Sequence, residues 1–254
     1  MQIALMADVH GNHVALEAAL EAVEGEGVDT IVCLGDIAEV GPQPAECVRR
    51  LRELECPVVL GNTDDRIVTR AALSERPDGP DAIAVALDRW TLEQLSPEDF
   101  EFIAALPPTV RVEPVGLLGY HGSPRSFNDR IVADTPDDQI AEWAVEEAPV
   151  MAGGHTHQQM LRHWRGGVLV NPGSVGLPLM RPEAGFVWEQ MLDETGPALF
   201  TPWAEYAVLE VTKAARSVAL RRVRFDLDSC FEAARRNGMP HLEWWMSRWQ
   251  RGSP

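Results

Sequence analysis

Short apolar runs that end on polar residues alternate along this chain with stretches of helical spacing. IALMAD (3–8) stops at an acid, and HGN separates it from VALEAALEAVEG. There Leu16, Ala19, Leu20 and Val23 recur on one helix face until Gly25 and Gly27 end it. DTIVCLGD (29–36) predicts a second strand, PAECVRRLRELEC (44–56) a helix, and PVVLGN (57–62) a third strand. These strands are apolar throughout, the mark of an α/β sheet covered on both faces.

Helices are expected at 80–95 and at 97–106, the second opened by Ser96-Pro97-Glu98. Beyond Pro107-Pro108, TVRVEPVGLLGYHG reads as two short strands joined at Glu113-Pro114. A helix at 137–148 then leads into the strand PVMAGG. MLRHW and GVLVNPG form a hairpin about Arg165-Gly166-Gly167, and AVLEVT with SVALRRVRF forms another. The end, about 228–250, is helical in two pieces broken by Asn237-Gly238 and Pro240. With no internal repeat and no low-complexity linker, a single domain over 1–254 is expected. One irregular insertion, about 181–205, is rich in Pro, Gly and Trp; a loop that long serves as a lid, a contact surface or a binding element.

Composition narrows the partners. At 254 residues and 45% apolar, the chain is long enough for a sizeable core, and no run nears the ~18 apolar residues of a membrane span. MQIALMADVH carries no basic leader, so no secretory signal is expected. Cys33, Cys47, Cys56 and Cys230 form no CxxC pair and read as reduced thiols of a cytoplasmic protein. A net charge of −17 argues against nonspecific nucleic-acid binding, which needs a basic surface. A phosphate substrate stays compatible where a metal supplies local positive charge.

The strand ends carry the unusual residues. They read Asp8-Val9-His10, Gly35-Asp36, Gly61-Asn62, His121-Gly122 and Gly153-Gly154-His155-Thr156-His157. Ligands bind outside the carboxyl ends of α/β strands, and these seven polar residues would converge there. On an extended segment, residues two apart point the same way, so Asp8 with His10 and His155 with His157 would each reach one pocket. Carboxylate, imidazole and amide oxygen suit Mn, Fe, Zn, Ni or Co better than Ca. Seven ligands exceed one tetrahedral ion; divided between two ions about 3.5–4 Å apart, they match a two-metal hydrolase.

DVH, GD, GN, HG and GHTH, in that order over about residues 1–180, resemble the calcineurin-like metallophosphoesterases. NPGSVGLP (171–178) resembles their small bacterial phosphodiesterase and phosphatase branch. The resemblance implies a four-layer αββα sandwich of two mixed β-sheets flanked by helices. It implies that Asp8, His10, Asp36 and His157 hold one ion, and that Asp36, Asn62, His121 and His155 hold the other. It further implies two divalent transition-metal ions, manganese foremost, and a small phosphodiester or phosphomonoester attacked by metal-bound hydroxide.

Two departures shape that expectation. GNTDD puts Thr63 where many members carry a histidine that protonates the leaving group, which leaves His13, water or no acid and favours good leaving groups. GDIAEVGP lacks the Asp-Arg pair of the Ser/Thr-type protein phosphatases. That branch, and a non-catalytic protein-binding scaffold of the same fold, remain the alternatives. A metal amidohydrolase would carry its HxH on the first strand, where DxH stands here. Arg66 and Arg125, with Asn62, are candidate phosphate-binding residues. Asp64 either orients a ligand or serves as an acid at a helix N-terminus. Ser174 is expected to cap a turn, and His163 and His241 to be ordinary surface residues. Trp244, Trp245 and Trp249 pack on the body or form a homo-oligomer contact.

Overall fold

Two mixed β-sheets stack face to face, with helices on their outer faces. The computed structural model describes residues 1–75, 82–180 and 198–250. The first half runs β1 (Gln2–Met6), α1 (His13–Glu26), β2 (Thr30–Cys33), α2 (Pro44–Glu53), α3 (Asn62–Thr69), α4 (Ala82–Gln94) and α5 (Pro97–Ala104). Next come β3 (Thr109–Val112), β4 (Leu117–Tyr120), α6 (Asp137–Trp143), β5 (Val150–Ala152), β6 (Met160–Trp164) and β7 (Gly167–Asn171). The chain finishes with β8 (Trp203–Val211), β9 (Arg216–Arg224), α7 (Leu227–Arg236) and α8 (Leu242–Ser247).

The first sheet has the order β2-β1-β8-β9, with β1 parallel to β2 and antiparallel to β8. The second has the order β3-β4-β5-β7-β6, a parallel centre with antiparallel edges. Strand β1 shows why these runs lack alternation. Ile3 and Leu5 belong to the core cluster shared with Leu117, Val150 and Val170 of the second sheet, whereas Ala4 and Met6 belong to the outer cluster with α1. Leu16, Leu20 and Val23 of α1 cover that outer face, each contributing about 1.5–3 kcal/mol of apolar burial before entropy. Ile140 of α6 covers the second sheet through Leu118, Met151 and Leu169. The parallel ends of β1, β2, β4 and β5 all open toward one edge of the sandwich, where the motif residues follow.

Three expectations change. PVVLGN is not a strand: Val58 makes a single bridge to Cys33, Leu60 N–H donates to the Pro107 carbonyl, and α3 begins at Asn62. Pro57 has no N–H for a ladder and the chain must turn at Gly61, so only a one-residue pairing forms. The helix expected over 137–148 ends at Trp143, where Ala144 leaves helical geometry ahead of Pro149. Of the irregular stretch 181–205, residues 181–197 lie outside the described residues. Phe200 bridges Leu179 and Trp249, and from Trp203 the chain is already β8.

The C-terminal tryptophans belong to the core. Trp245 stacks edge-on against Phe231 and Trp249, while Trp249 meets Phe200 and Phe225. His163 and His241 are exposed, as expected. All four cysteines are free thiols. Among the described residues no helix is long and apolar enough to cross a membrane.

Candidate metal centre

Two clusters form where the strand ends converge. Donor atoms of Asp8, His10 and His157 lie within 4.8 Å of one another, and so do those of Asp36, His121 and His155. Each cluster joins both sheets, since Asp8, His10 and Asp36 follow β1 and β2 whereas the other three follow β4 and β5. Asn62, the first residue of α3, completes the second cluster with its Oδ1 2.9 Å from His121 Nε2.

The local backbone differs from the expected extended geometry. Asp8, His10, Asp36, His155 and His157 all have positive φ, between 46° and 67°. The strand has ended before each pair, and left-handed residues, not the alternation of a strand, turn the side chains inward. Asp and His tolerate that region better than most residues, but five such positions need a surrounding structure that fixes them.

Hydrogen bonds do the fixing. Asp8 N–H donates to the Gly35 carbonyl, and the Asp8 carboxylate accepts from His155 N–H at 3.1 and 3.2 Å. Ser174 Oγ donates to the Asp8 carbonyl at 2.8 Å and accepts from Leu177 N–H, so it braces a site residue besides closing its turn. Asp64 unites its two expected roles. From the first turn of α3 its carboxylate accepts from the backbone N–H groups of Asp36, Ile37 and Gly61. Burial, seconded by the charge of Asp36, pushes its pKa up to about 7.

Two glycines are set by close approach. A Cβ on Gly61 would lie 2.1 Å from Asp36 Oδ1, and one on Gly176 would lie 1.8 Å from the Val9 carbonyl oxygen. No side chain fits either place.

Three imidazoles share one arrangement. Nδ1 of His10, His121 and His157 faces the backbone carbonyls of Glu39, Leu34 and Leu177 respectively, at 3.2, 2.7 and 3.0 Å. A carbonyl only accepts, so each Nδ1 carries a proton and each Nε2 points into the clusters. His10 Nε2 and His157 Nε2 stand 3.1 Å apart. Metal-binding histidines are oriented in just this manner, by a partner on the far ring nitrogen.

Charge follows the geometry. Burial would raise Asp36, but the charge and hydrogen bond of His121 hold it far below the usual carboxylate range; at Asp8 burial again opposes, and His157 holds the carboxyl below its ordinary value. Burial would lower His121, yet Asp36 beside it pushes the imidazole up to about 9. Burial brings His10 and His155 down to about 4, keeping them neutral at pH 7. Paired carboxylates that attract positive charge beside neutral imidazoles form a donor set that fits divalent transition metals.

A cavity of about 360 Å³ opens over the clusters, with His10, Asp36, Asn62, His155 and His157 on its surface and Asp8 and His121 buried beneath. Thr63 lines it, and its N–H donates to Asp36 Oδ1. His13 does not: it sits at the start of α1 and faces Glu17 at 3.4 Å, one turn along the helix. The expected phosphate clamps are also placed otherwise. Arg125 lies outside the cavity, held by Asp129, Glu142 and the ring of Trp143. Arg66 lines the cavity but forks onto Asp88 and Glu75. The arginine beside His155 on the cavity wall is Arg130, in the SFNDR loop, where no periodic pattern singles it out. Glu39 and Asp88 also line it unannounced by any motif.

Comparison with known proteins agrees with this geometry. Residues 1–192 match the model of the calcineurin-like phosphoesterase superfamily domain. An uncharacterized protein of Methanocaldococcus jannaschii is 29% identical over 195 residues, which is 69% of this chain and 76% of that protein. A crystal structure of a metallophosphoesterase from Sphaerobacter thermophilus superposes with a TM-score of 0.71 at 27% identity, covering 98% of each chain. A hypothetical protein from Pyrococcus horikoshii shares the fold with a TM-score of 0.73 at 22% identity, covering 100% of this chain and 99% of its own. With its two mixed sheets, flanking helices and converging strand ends, this chain belongs to the calcineurin-like phosphoesterase superfamily.

Proposed function

We propose that this protein is a dinuclear metal-dependent phosphoesterase acting on a small phosphate monoester or diester. The observation that carries the reading is the position of Asp36. Its Oδ2 lies 3.7 Å from His10 Nε2 in one cluster and 3.3 Å from His121 Nε2 in the other. Thr63 N–H and the Asp64 brace fix that carboxylate between the two. Asp8, His10, Asp36 and His157 would hold one ion; Asp36, Asn62, His121 and His155 the other. Manganese is the first choice, and iron, zinc, nickel and cobalt suit the same donors. Such ions supply positive charge to phosphoryl oxygens and bring the pKa of water near 7.

The chain's own groups do the rest. Neutral His10 and His155 offer lone pairs, and the carboxylates of Asp8 and Asp36 anchor positive charge. Arg130 stands on the cavity wall to pair with non-bridging phosphate oxygens. A complete ligand set favours catalysis over a scaffold role. Four free cysteines fit a reducing, cytoplasmic setting.

The test is metal content per chain after purification in manganese, together with hydrolysis of bis-p-nitrophenyl phosphate. Two ions per chain and turnover abolished by chelation are expected. A protein that takes up no metal, or one that is loaded yet inert toward both this diester and p-nitrophenyl phosphate, would overturn the reading.

A further inference from the structure

The cavity continues past the clusters to a wall that no metal ligand needs. Glu39, Asp88, Glu75 and Arg66 form it, with Ala84 beside them. Arg66 donates to Asp88 Oδ2 at 2.5 and 3.0 Å and to both Glu75 oxygens at 3.0 and 3.1 Å, so its charge is matched within the wall. Glu39 is 2% exposed, and its carboxyl meets that of Asp88. Its Oε1 has no hydrogen-bond partner among the described residues. Thr63 Oγ1, on the same cavity, has none either.

Buried polar atoms in folded proteins almost always find partners, and an exception in a cavity wall is a place where a water or a bound molecule can supply one. Both atoms here are oxygens that accept, and the Glu39 oxygen accepts whatever the protonation of its carboxyl. Among the described residues of this wall, three carboxyl groups stand against the one guanidinium of Arg66, a balance that disfavours an anion; Arg130 lies across the cavity beside His155. The volume lies at the low end of the about 300–1,000 Å³ of small-molecule sites, room for a phosphate and a small alcohol.

Resting on the phosphoesterase reading above, we propose that this wall receives the alcohol side of the ester. That alcohol carries O–H or N–H donors and no negative charge, as in the phosphate of a small polyol or amino alcohol. Its donors reach Glu39 Oε1 and Thr63 Oγ1 while the phosphate lies over the clusters. An electronegative substituent beside the ester oxygen also makes a better leaving alkoxide, which suits a site with Thr63 in place of an acid.

The test compares three esters of similar size on the manganese-loaded full-length protein: 2-hydroxyethyl phosphate, O-phosphoethanolamine and 2-phosphoglycolate. At least fivefold higher kcat/KM for either of the first two over phosphoglycolate is expected, and which of them leads separates polyol from amino alcohol. Glu39→Gln and Thr63→Val should each shrink that ratio at least threefold, with circular dichroism reporting that the fold is kept. Calorimetric titration of the wild type with 2-hydroxyethylphosphonate and phosphonoacetate gives the same comparison in Kd and decides the matter if a variant does not fold. Hydrolysis of bis-p-nitrophenyl phosphate with a ratio below fivefold, or ratios untouched in both folded variants, overturns this proposal alone. Inertness toward every ester sinks the phosphoesterase reading and this proposal with it.

Discussion

Ser174 Oγ donates to the backbone carbonyl of Asp8 at 2.8 Å, tying together residues 166 apart in sequence. The hydroxyl also accepts from Leu177 N–H and is fully buried. Ser174→Ala leaves the Leu177 N–H unsatisfied while the Asp8 carbonyl keeps the Gly176 N–H, which should cost about 1–3 kcal/mol of stability. Loosening the Asp8 loop should weaken metal affinity by about 10–100-fold, as losing an outer support of a ligand does. Urea unfolding with and without chelator, and a manganese titration, check the two effects.

Asp36→Asn keeps the shape of the side chain but removes the charge between His10 and His121. Activity on bis-p-nitrophenyl phosphate should fall by at least about 10²-fold and bound metal should drop below two per chain. Measuring both on the same preparation distinguishes lost metal from lost chemistry. A variant as active as the wild type would contradict the shared carboxylate.

The two cavity arginines should separate by phenotype. Arg66→Ala strands the buried Asp88 carboxylate and should destabilise the fold by about 2 kcal/mol, less than the ~3–5 kcal/mol of a fully buried pair because Arg66 is part-exposed. Arg130→Ala should instead raise KM for phosphate esters about tenfold or more. Melting curves and steady-state kinetics on the pair provide the check.

Glu205, which accepts from the Ser174 N–H, gives a further pH signature. Burial pushes its carboxyl up to about 7 from an ordinary 4.5, against the pull of Arg222. An acid with a raised folded pKa binds its proton more tightly in the folded state. Its contribution is therefore complete below about pH 4.5 and is lost as pH rises toward 7. Stability should decline by up to about 3 kcal/mol across that window. Glu205→Gln should flatten the slope in denaturation curves taken from pH 4.5 to 7.5.

Much of this molecule was legible in its sequence because two signals are strong. Unbroken apolar runs such as IALMA announce a doubly covered strand, and Ile3 and Met6 do face opposite layers. Polar residues set beside glycine at strand ends announce a site, and six of the seven candidate ligands fall into two clusters with Asn62 against His121. Side-chain partnerships were not legible. Arg66 and Arg125 look alike in sequence as phosphate clamps, yet carboxylates distant along the chain claim them. The inward aim of Asp8 and His10 was expected for the wrong reason, since sequence spacing does not reveal a left-handed φ. PVVLGN has the composition of a strand but lacks neighbours to pair with, and pairing is a property of the whole sheet.

Because each cluster takes side chains from both sheets, a cation held there is also a rivet through the sandwich. Separating the layers would tear every such ion from part of its donors, so ion loading should raise resistance to mechanical or thermal delamination. For the same reason, a fragment carrying either sheet alone would hold an incomplete grip on metal, however well it folded.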